Sequence, residues 1–242
     1  MKIVFSRKGF DSTYGGAPSP IVEGRPVSLP IPASRGESTT YGALGLDGLV
    51  AQATRGRMSG RDRCHDDPMF GNGLCWLGQV NQAQGHLGNQ GVGKGDVFLF
   101  FGLFGDPETG ERHHRIFGWM RVSCHGPPDL VRTWPGWREP PRPHPHFHGE
   151  WGKSNTIYHG VGRCAATASG QLRLTRPGGP LNRWIVPPWL GRHGLSYHAR
   201  PRRWIGDSEL DSVRRGQEFV CDIGEDSAPR RWLEQVIAEI EA

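Results

Sequence analysis

The chain has 242 residues, 36% of them apolar, and its nine Trp and ten Phe give enough bulk for a buried core, which excludes a disordered tail. Lys and Arg together number 29 against 24 Asp and Glu, and the resulting net charge of +5 permits a nucleic-acid partner without requiring one. No run approaches the roughly 18 apolar residues of a membrane span, the opening MKIVFSRKGFD turns polar too early for a signal peptide, and five Cys without C-x-x-C spacing exclude a disulfide framework.

The expectation is therefore a cytoplasmic protein with reduced thiols and no membrane partner. Thirty-six Gly and 20 Pro, interleaved with Trp, Phe and Leu, predict many turns and little helix. Residues 2–6 (KIVFS) read as a buried first strand that delivers Arg7 and Lys8 at its tip, followed by an irregular Gly/Pro-rich loop. Helices are predicted over 47–54 and 78–88. The apolar runs 96–104 (DVFLFFGLF) and 114–122 (HRIFGWMRV) form a hairpin with a longer polar connection. Residues 134–148 (WPGWREPPRPHPHFH) are too rich in Pro for a central strand and are expected on the surface. Short strands are predicted at 155–159, 171–175, 183–186, 195–199 and 217–222. The last 15 residues read as an amphipathic helix, with Trp232, Leu233, Val236, Ile237 and Ile240 on one stripe, Asp226 or Ser227 as cap and Pro229 in the first turn. The sum is a β-rich α+β chain, one compact domain over 1–242, with a central mixed or barrel-like sheet, few helices and a C-terminal amphipathic helix.

Four polar segments carry chemistry. Ser6, Arg7, Lys8 and Asp11, with Gly15 and Gly16 behind them, suit an anion: the cations meet a phosphate and the glycines let backbone N–H groups approach it. A basic strand end with an ordinary glycine loop explains the same residues. His65, Asp66 and Asp67 offer an acid/base or ligand set, with Pro68 holding an extended or turn conformation, although adjacent residues on a regular element cannot all face one ion. A polar turn pairing with Arg61 or Arg63 is the alternative. His144, His146 and His148 alternate and would share a face in an extended segment, yet their Pro-rich setting reads as a surface loop. No Cys or Cys/His pair has zinc spacing, so no metal is assigned and no structural zinc is expected. Gln217 and Glu218 open an apolar strand behind two Arg, where a carboxylate can orient a ribose or a nucleophile, or simply be solvated.

The opening KIVFSRKGFDSTYGGAPSPI, the His65-Asp66-Asp67-Pro68 element, GHLGNQGVGKGDVFLFFGLF at 85–104, IFGWMRV at 116–122 and RRGQEFVCD at 214–222 resemble the third nucleotide-modification-associated domain family over essentially the whole chain. That resemblance implies a bacterial protein working on nucleic-acid bases or nucleotides, with a nucleic acid or nucleotide as substrate and other DNA-modification proteins as partners. It names no reaction and no cofactor. Residues 95–122 are also similar to the middle of PUA and EVE-like barrels, which implies nucleic-acid binding. Three readings stand. In an enzyme, His65, Asp67 and Glu218 are catalytic and Ser6, Arg7, Lys8, Asp11, Gly15, Gly16 and Gln217 hold the nucleotide or anion. One variant is a transferase using NAD, since the order Arg7, Ser38-Thr39-Thr40, Glu218 is similar to that of ADP-ribosyltransferases, although Gly216 stands where those have an acidic residue or Gln. A non-catalytic reader would stack an extruded base on Trp119 or Trp151. An accessory subunit would only dock through its basic surface.

Overall fold

The computed structural model describes residues 1–33, 39–106, 108–214 and 216–242. The strands are β1 (Lys2–Arg7), β2 (Ser19–Val22), β3 (Arg25–Pro26), β4 (Ile31–Pro32), β5 (Cys64–His65), β6 (Met69–Gly71), β7 (Leu74–Gln79), β8 (Val97–Gly105), β9 (Arg112–Gly126), β10 (Thr156–Cys164), β11 (Arg183–Ile185), β12 (Trp204–Ile205), β13 (Glu209–Asp211) and β14 (Glu218–Asp222). The helices are α1 (Asp47–Thr54), α2 (Asn81–Asn89), α3 (Pro128–Val131), α4 (Pro188–His193) and α5 (Ser227–Glu241). The fold is β-rich α+β, and among the described residues no helix is long and apolar enough to cross a membrane.

The main sheet is mixed, in the order β14-β1-β8-β9-β10-β7-β6, with β1 and β2 both parallel to β8 and the remaining neighbours antiparallel. Alternation along the strands sorts the side chains into two cores. On one face Ile3, Phe5, Val97, Leu99, Phe101, Phe219 and Cys221 pack under α5 and against Trp184 and Trp189. On the other, Val4, Phe98, Phe100, Val220, Cys75, Leu77 and Tyr158 pack together, with Leu87 of α2 among them. That second face is strongly concave. Gln79 of β7 reaches Glu218 of β14, although four strands lie between them in the sheet. A register shift beside Phe100 and Phe101 marks a bulge in the β8–β9 pairing, the device that bends long strands. β8 is buried on both faces, which is why its sequence is a continuous apolar run.

α5 forms as its stripe predicts. The Asp226 side chain accepts from the Ala228 N–H at 2.9 Å, and Leu233, Val236 and Ile240 are buried. Other expectations need correcting. The segment read as a helix over 78–88 is the end of β7 followed by α2, because Gln79 still pairs with Thr156 of β10. Residues 171–175 hold a 3-10 turn at Gly170–Leu172 followed by isolated bridges, Arg173 to Arg115 of β9 and Thr175 to Trp184 of β11, rather than a continuous strand, and 195–199 are turn and loop, with Leu195 filling the core. Residues 134–148 are not wholly superficial: His144, Pro145 and His146 are buried.

Buried neutral histidines make the fold acid-sensitive. Burial, reinforced by Arg7 and His113, pushes the His114 imidazole down to about 3, and its Nδ1 accepts from Trp184 Nε1 at 3.1 Å. Burial, opposed by the Ser196 carbonyl, brings His198 down to about 4, and its Nε2 accepts from the Val213 N–H at 3.1 Å. An unfolded imidazole titrates near 6.5. Between the folded and unfolded values the unfolded chain binds more protons, so the stabilisation is complete above roughly pH 6.5 and is lost as pH falls toward about 4. The urea midpoint is expected to drop between pH 7.5 and pH 5; a constant midpoint over that range contradicts this account.

Candidate functional site

The alternation that builds the concave core also builds the site at its end. Val4, Val220 and Leu77 point into the core, and two residues further along the same faces stand Ser6, Glu218 and Gln79, so three buried polar groups follow the apolar ones at the mouth. Ser6 and Glu218 are direct partners in the β1–β14 register. Glu218 Oε1 accepts from Ser6 Oγ at 3.0 Å, from Gln79 Nε2 at 3.0 Å and from Lys8 Nζ at 3.2 Å. The Glu218 side chain is only 1% exposed, and its Oε2 is buried with no hydrogen-bond partner among the described residues. Arg7 points to the opposite face, over the Phe101 and Phe219 rings, and donates to the carbonyls of Arg214 (2.7 Å) and Val213 (3.2 Å).

A second cluster stands beside the first. β5 pairs with β4, and the chain then turns so that the Asp67 N–H donates to the His65 carbonyl at 2.9 Å. The turn sends alternate side chains in opposite directions. Asp66 leaves the site and accepts two hydrogen bonds from Arg142, at 3.1 and 2.8 Å, so its partner is neither Arg61 nor Arg63. Asp67 stays: its Oδ1 accepts from the Gly78 N–H at 2.8 Å and lies 3.2 Å from His144 Nε2, while its Oδ2 lies 4.0 Å from His65 Nε2. Burial works to raise the Asp67 pKa, but the His144 imidazole 3.2 Å away, with Lys8 and His146, overrides it and holds the carboxyl well below the usual range.

His146 reaches the cluster from the Pro-rich loop. Its ring lies directly on the Gly78 backbone, where a Cβ would come within 2.1 Å of it. Trp151 stacks on the other side of that ring, with centroids 4.2 Å apart and planes 8° from parallel. Burial brings His146 down to about 4 despite the opposing charge of Asp67, so at neutral pH the ring is uncharged. His65, Asp67 and His146 each present one ligand atom, and these atoms lie within 4.8 Å of one another.

All of this borders one cavity of about 870 Å³. Arg7, Lys8, Asp11, His65, Asp67 and Gln217 line it. Ser6 and Glu218 stand behind that lining and reach it through Lys8 and Gln79. Asp11 spends its Oδ1 on the Thr13 and Tyr14 N–H groups, each at 2.7 Å, closing its own loop.

Gly15 and Gly16 lie outside this cavity lining. The Phe10 ring fills the place of a Gly15 Cβ, the Gly16 N–H donates to the Asp11 carbonyl, and Gly16 borders a separate cavity with Arg57. Their positive φ values serve the turn. Trp119 belongs to the core and is 6% exposed, so it offers no face to a base, whereas Trp151 lines the cavity. His144, His146 and His148 do not lie on an extended segment, because a 3-10 turn spans Pro145–Phe147; His144 stays behind Asp67, whereas His146 and His148 line the cavity. Ser38 lies outside the described residues, and Thr40 bridges to Arg63. Sequence reasoning missed Gln79, whose signal was the alternation Cys75, Leu77, Gln79 running from apolar to amide. It also missed the partnership of His146 with Gly78, which no local pattern encodes.

The family described as nucleotide modification associated domain 3 matches residues 2–222, a span that includes all fourteen strands and leaves α5 beyond it. No curated protein and no solved structure matches the chain.

Proposed function

The chain belongs to the nucleotide modification associated domain 3 family, and from that premise we propose that it is an enzyme acting on a nucleotide or nucleic-acid base held in the cavity at the end of β1. Convergence is the observation that carries this reading. Ion pairs and carboxylates are expensive to bury and contribute little to stability in return, yet separate stretches of sequence bring Lys8, Asp67 and His146 to one cavity, with Glu218 directly behind Lys8. Buried, paired and perturbed groups gathered at a cleft favour chemistry over scaffolding.

The cavity volume of about 870 Å³ falls in the range of small-ligand sites. Lys8 and Arg214 supply positive charge for a phosphate, and Trp151, with the half-exposed Tyr14 at the rim, supplies aromatic faces for a base. Asp67 is the ionised carboxylate nearest the reacting centre. Glu218 does not line the cavity, and we assign it the positioning of Lys8 and Gln79 rather than contact with substrate.

Asp67→Asn keeps the shape and removes the charge. In cells carrying the chain with the genes that flank it, the modified nucleoside is expected to fall by about 100-fold or more, as when a positioned acid–base group is lost. Mass spectrometry of hydrolysed nucleic acid and of the free nucleotide pool reads the result. Identical profiles for wild type, Asp67→Asn and a deletion refute the enzyme reading. Retained nucleotide binding in that case makes the chain a reader.

A further inference from the structure

In the His65, Asp67 and His146 trio, Asp67 and His146 are oriented from behind. Asp67 Oδ1 is taken by the Gly78 N–H and by the approach of His144, which leaves Oδ2 as the oxygen nearest His65 Nε2, at 4.0 Å. Asn155 fixes His146 through two contacts. Its Nδ2 donates to the His146 carbonyl at 2.9 Å, so its Oδ1 accepts from His146 Nδ1–H at 2.8 Å, and the Nε2 lone pair remains for a ligand. Trp151 holds the ring flat. An imidazole whose second nitrogen donates to a carbonyl oxygen is the usual support behind a metal-ligating His. A glycine kept within β7 so that this ring can lie on the backbone is a further expense of the same arrangement.

We propose that His65, Asp67 and His146 bind one divalent transition-metal ion and leave its remaining coordination positions open to the cavity. Two imidazole nitrogens and one carboxylate oxygen, without thiolate, suit Zn²⁺, Fe²⁺ and their neighbours rather than Mg²⁺, Ca²⁺ or a soft ion. Three protein ligands at a cavity wall match a catalytic site, whereas structural zinc is closed by four. Bonds of roughly 2.0–2.2 Å put ligand atoms about 3.0–3.5 Å apart, so the trio has to close by about 1–2 Å, a displacement that side-chain rotation supplies. The neighbouring ammonium of Lys8 is matched by Glu218 at 3.2 Å, and Asp67 supplies the negative charge that faces the ion. This departs from the sequence reading, which assigned no metal. The metal site stands by itself; its use as a Lewis acid on a nucleotide rests on the function proposed above.

The test uses the full chain, free of any polyhistidine tag and stripped by chelation, titrated calorimetrically with Zn²⁺ and, without oxygen, with Fe²⁺. One ion per folded chain is expected, with affinity reduced about 100-fold or more in His65→Ala and about 10- to 100-fold in Asn155→Ala. Circular dichroism checks that both variants fold. Should either fail to fold, the Co²⁺-loaded wild type gives the reading: two hyperfine-shifted imidazole N–H signals are expected in its NMR spectrum. A folded wild type that takes up no stoichiometric ion, affinities unchanged in both variants, or a Co²⁺ spectrum without two imidazole signals would overturn the site. Product formed by chelated, metal-free protein overturns the use of the ion in the reaction and leaves the enzyme reading intact. An ion bound as expected, with unaltered nucleosides in the cellular test, overturns the enzyme reading and leaves the site.

Discussion

Lys8→Met is expected to destabilise the fold by about 3–5 kcal/mol, the range for removing one partner of a buried ion pair, and Glu218→Gln added to it is expected to restore part of that loss. The two side chains are 10% and 1% exposed, so solvent screens the pair poorly, and the Lys8–Glu218 contact is 3.2 Å. Without the ammonium, Ser6 and Gln79 still donate to Glu218 Oε1, but the charge has lost its counterion and Oε2 has no partner among the described residues to fall back on. A neutral amide at 218 removes the charge and keeps the Ser6 and Gln79 bonds. Its new N–H₂ group has no acceptor in place, so recovery stays short by about 1–3 kcal/mol, the penalty for an unsatisfied buried donor. Urea unfolding of wild type, both single variants and the double variant at pH 7.5 measures the cycle. Additive losses, or less than about 1 kcal/mol for Lys8→Met, would mean that the pair is solvated after all. The double variant also separates stability from function: it is expected to fold and to form no product, because Lys8 is then absent from the cavity wall.

The legible parts of the fold were those where one local pattern decides. KIVFS at 2–6 and the run at 96–104 are continuous apolar stretches buried on both faces, the stripe from Trp232 to Ile240 has a helical period, and β1, β8 and α5 form there. β7 was hidden because LCWLGQV joins without a break onto the Asn/Gln-rich start of α2, and only its pairing with β10 separates strand from helix. Leu172, Leu174 and Leu195 are buried, but their segments make only isolated bridges or none rather than a continuous ladder, a distinction that alternation does not carry.

The site divides in the same way. Arg7, Lys8 and Glu218 stand at strand ends next to apolar runs, and His65 and Asp67 share one short turn, so their residue types were visible. Their assembly depends on how far the sheet bends, since Gln79 and Glu218 meet across four intervening strands. His146 was grouped with His144 and His148 on spacing, whereas a 3-10 turn sends it onto Gly78, and nothing near residue 78 announces an imidazole. Asp66 shows the converse: next to Asp67 in sequence, it is committed to Arg142 on the far side of the turn.

Gly78→Ala is expected to abolish product formation while leaving a folded protein. The added Cβ would stand 2.1 Å from His146 Cγ and Cδ2 and 2.7 Å from Nδ1, closer than any side chain tolerates. The backbone cannot yield, because Gly78 pairs with Ile157 of β10 on one side and its N–H is held by Asp67 Oδ1 at 2.8 Å on the other. The imidazole must therefore move, giving up the 2.8 Å contact with Asn155 and its stack on Trp151. Overpacking of this kind costs about 1–3 kcal/mol, which a folded chain of this size survives, but a metal ligand and the aromatic floor of the cavity are displaced with it. Gly85 supplies the comparison. It lies inside α2, exposed and with open space where a Cβ would go, so Gly85→Ala is expected to raise stability by about 0.5–1 kcal/mol. Denaturant unfolding, nucleoside mass spectrometry and the His146 ring signals in NMR read both variants. Gly78→Ala with wild-type stability and unshifted His146 signals would show that the ring does not rest on that glycine, and the cavity floor described above would have to be rebuilt without it.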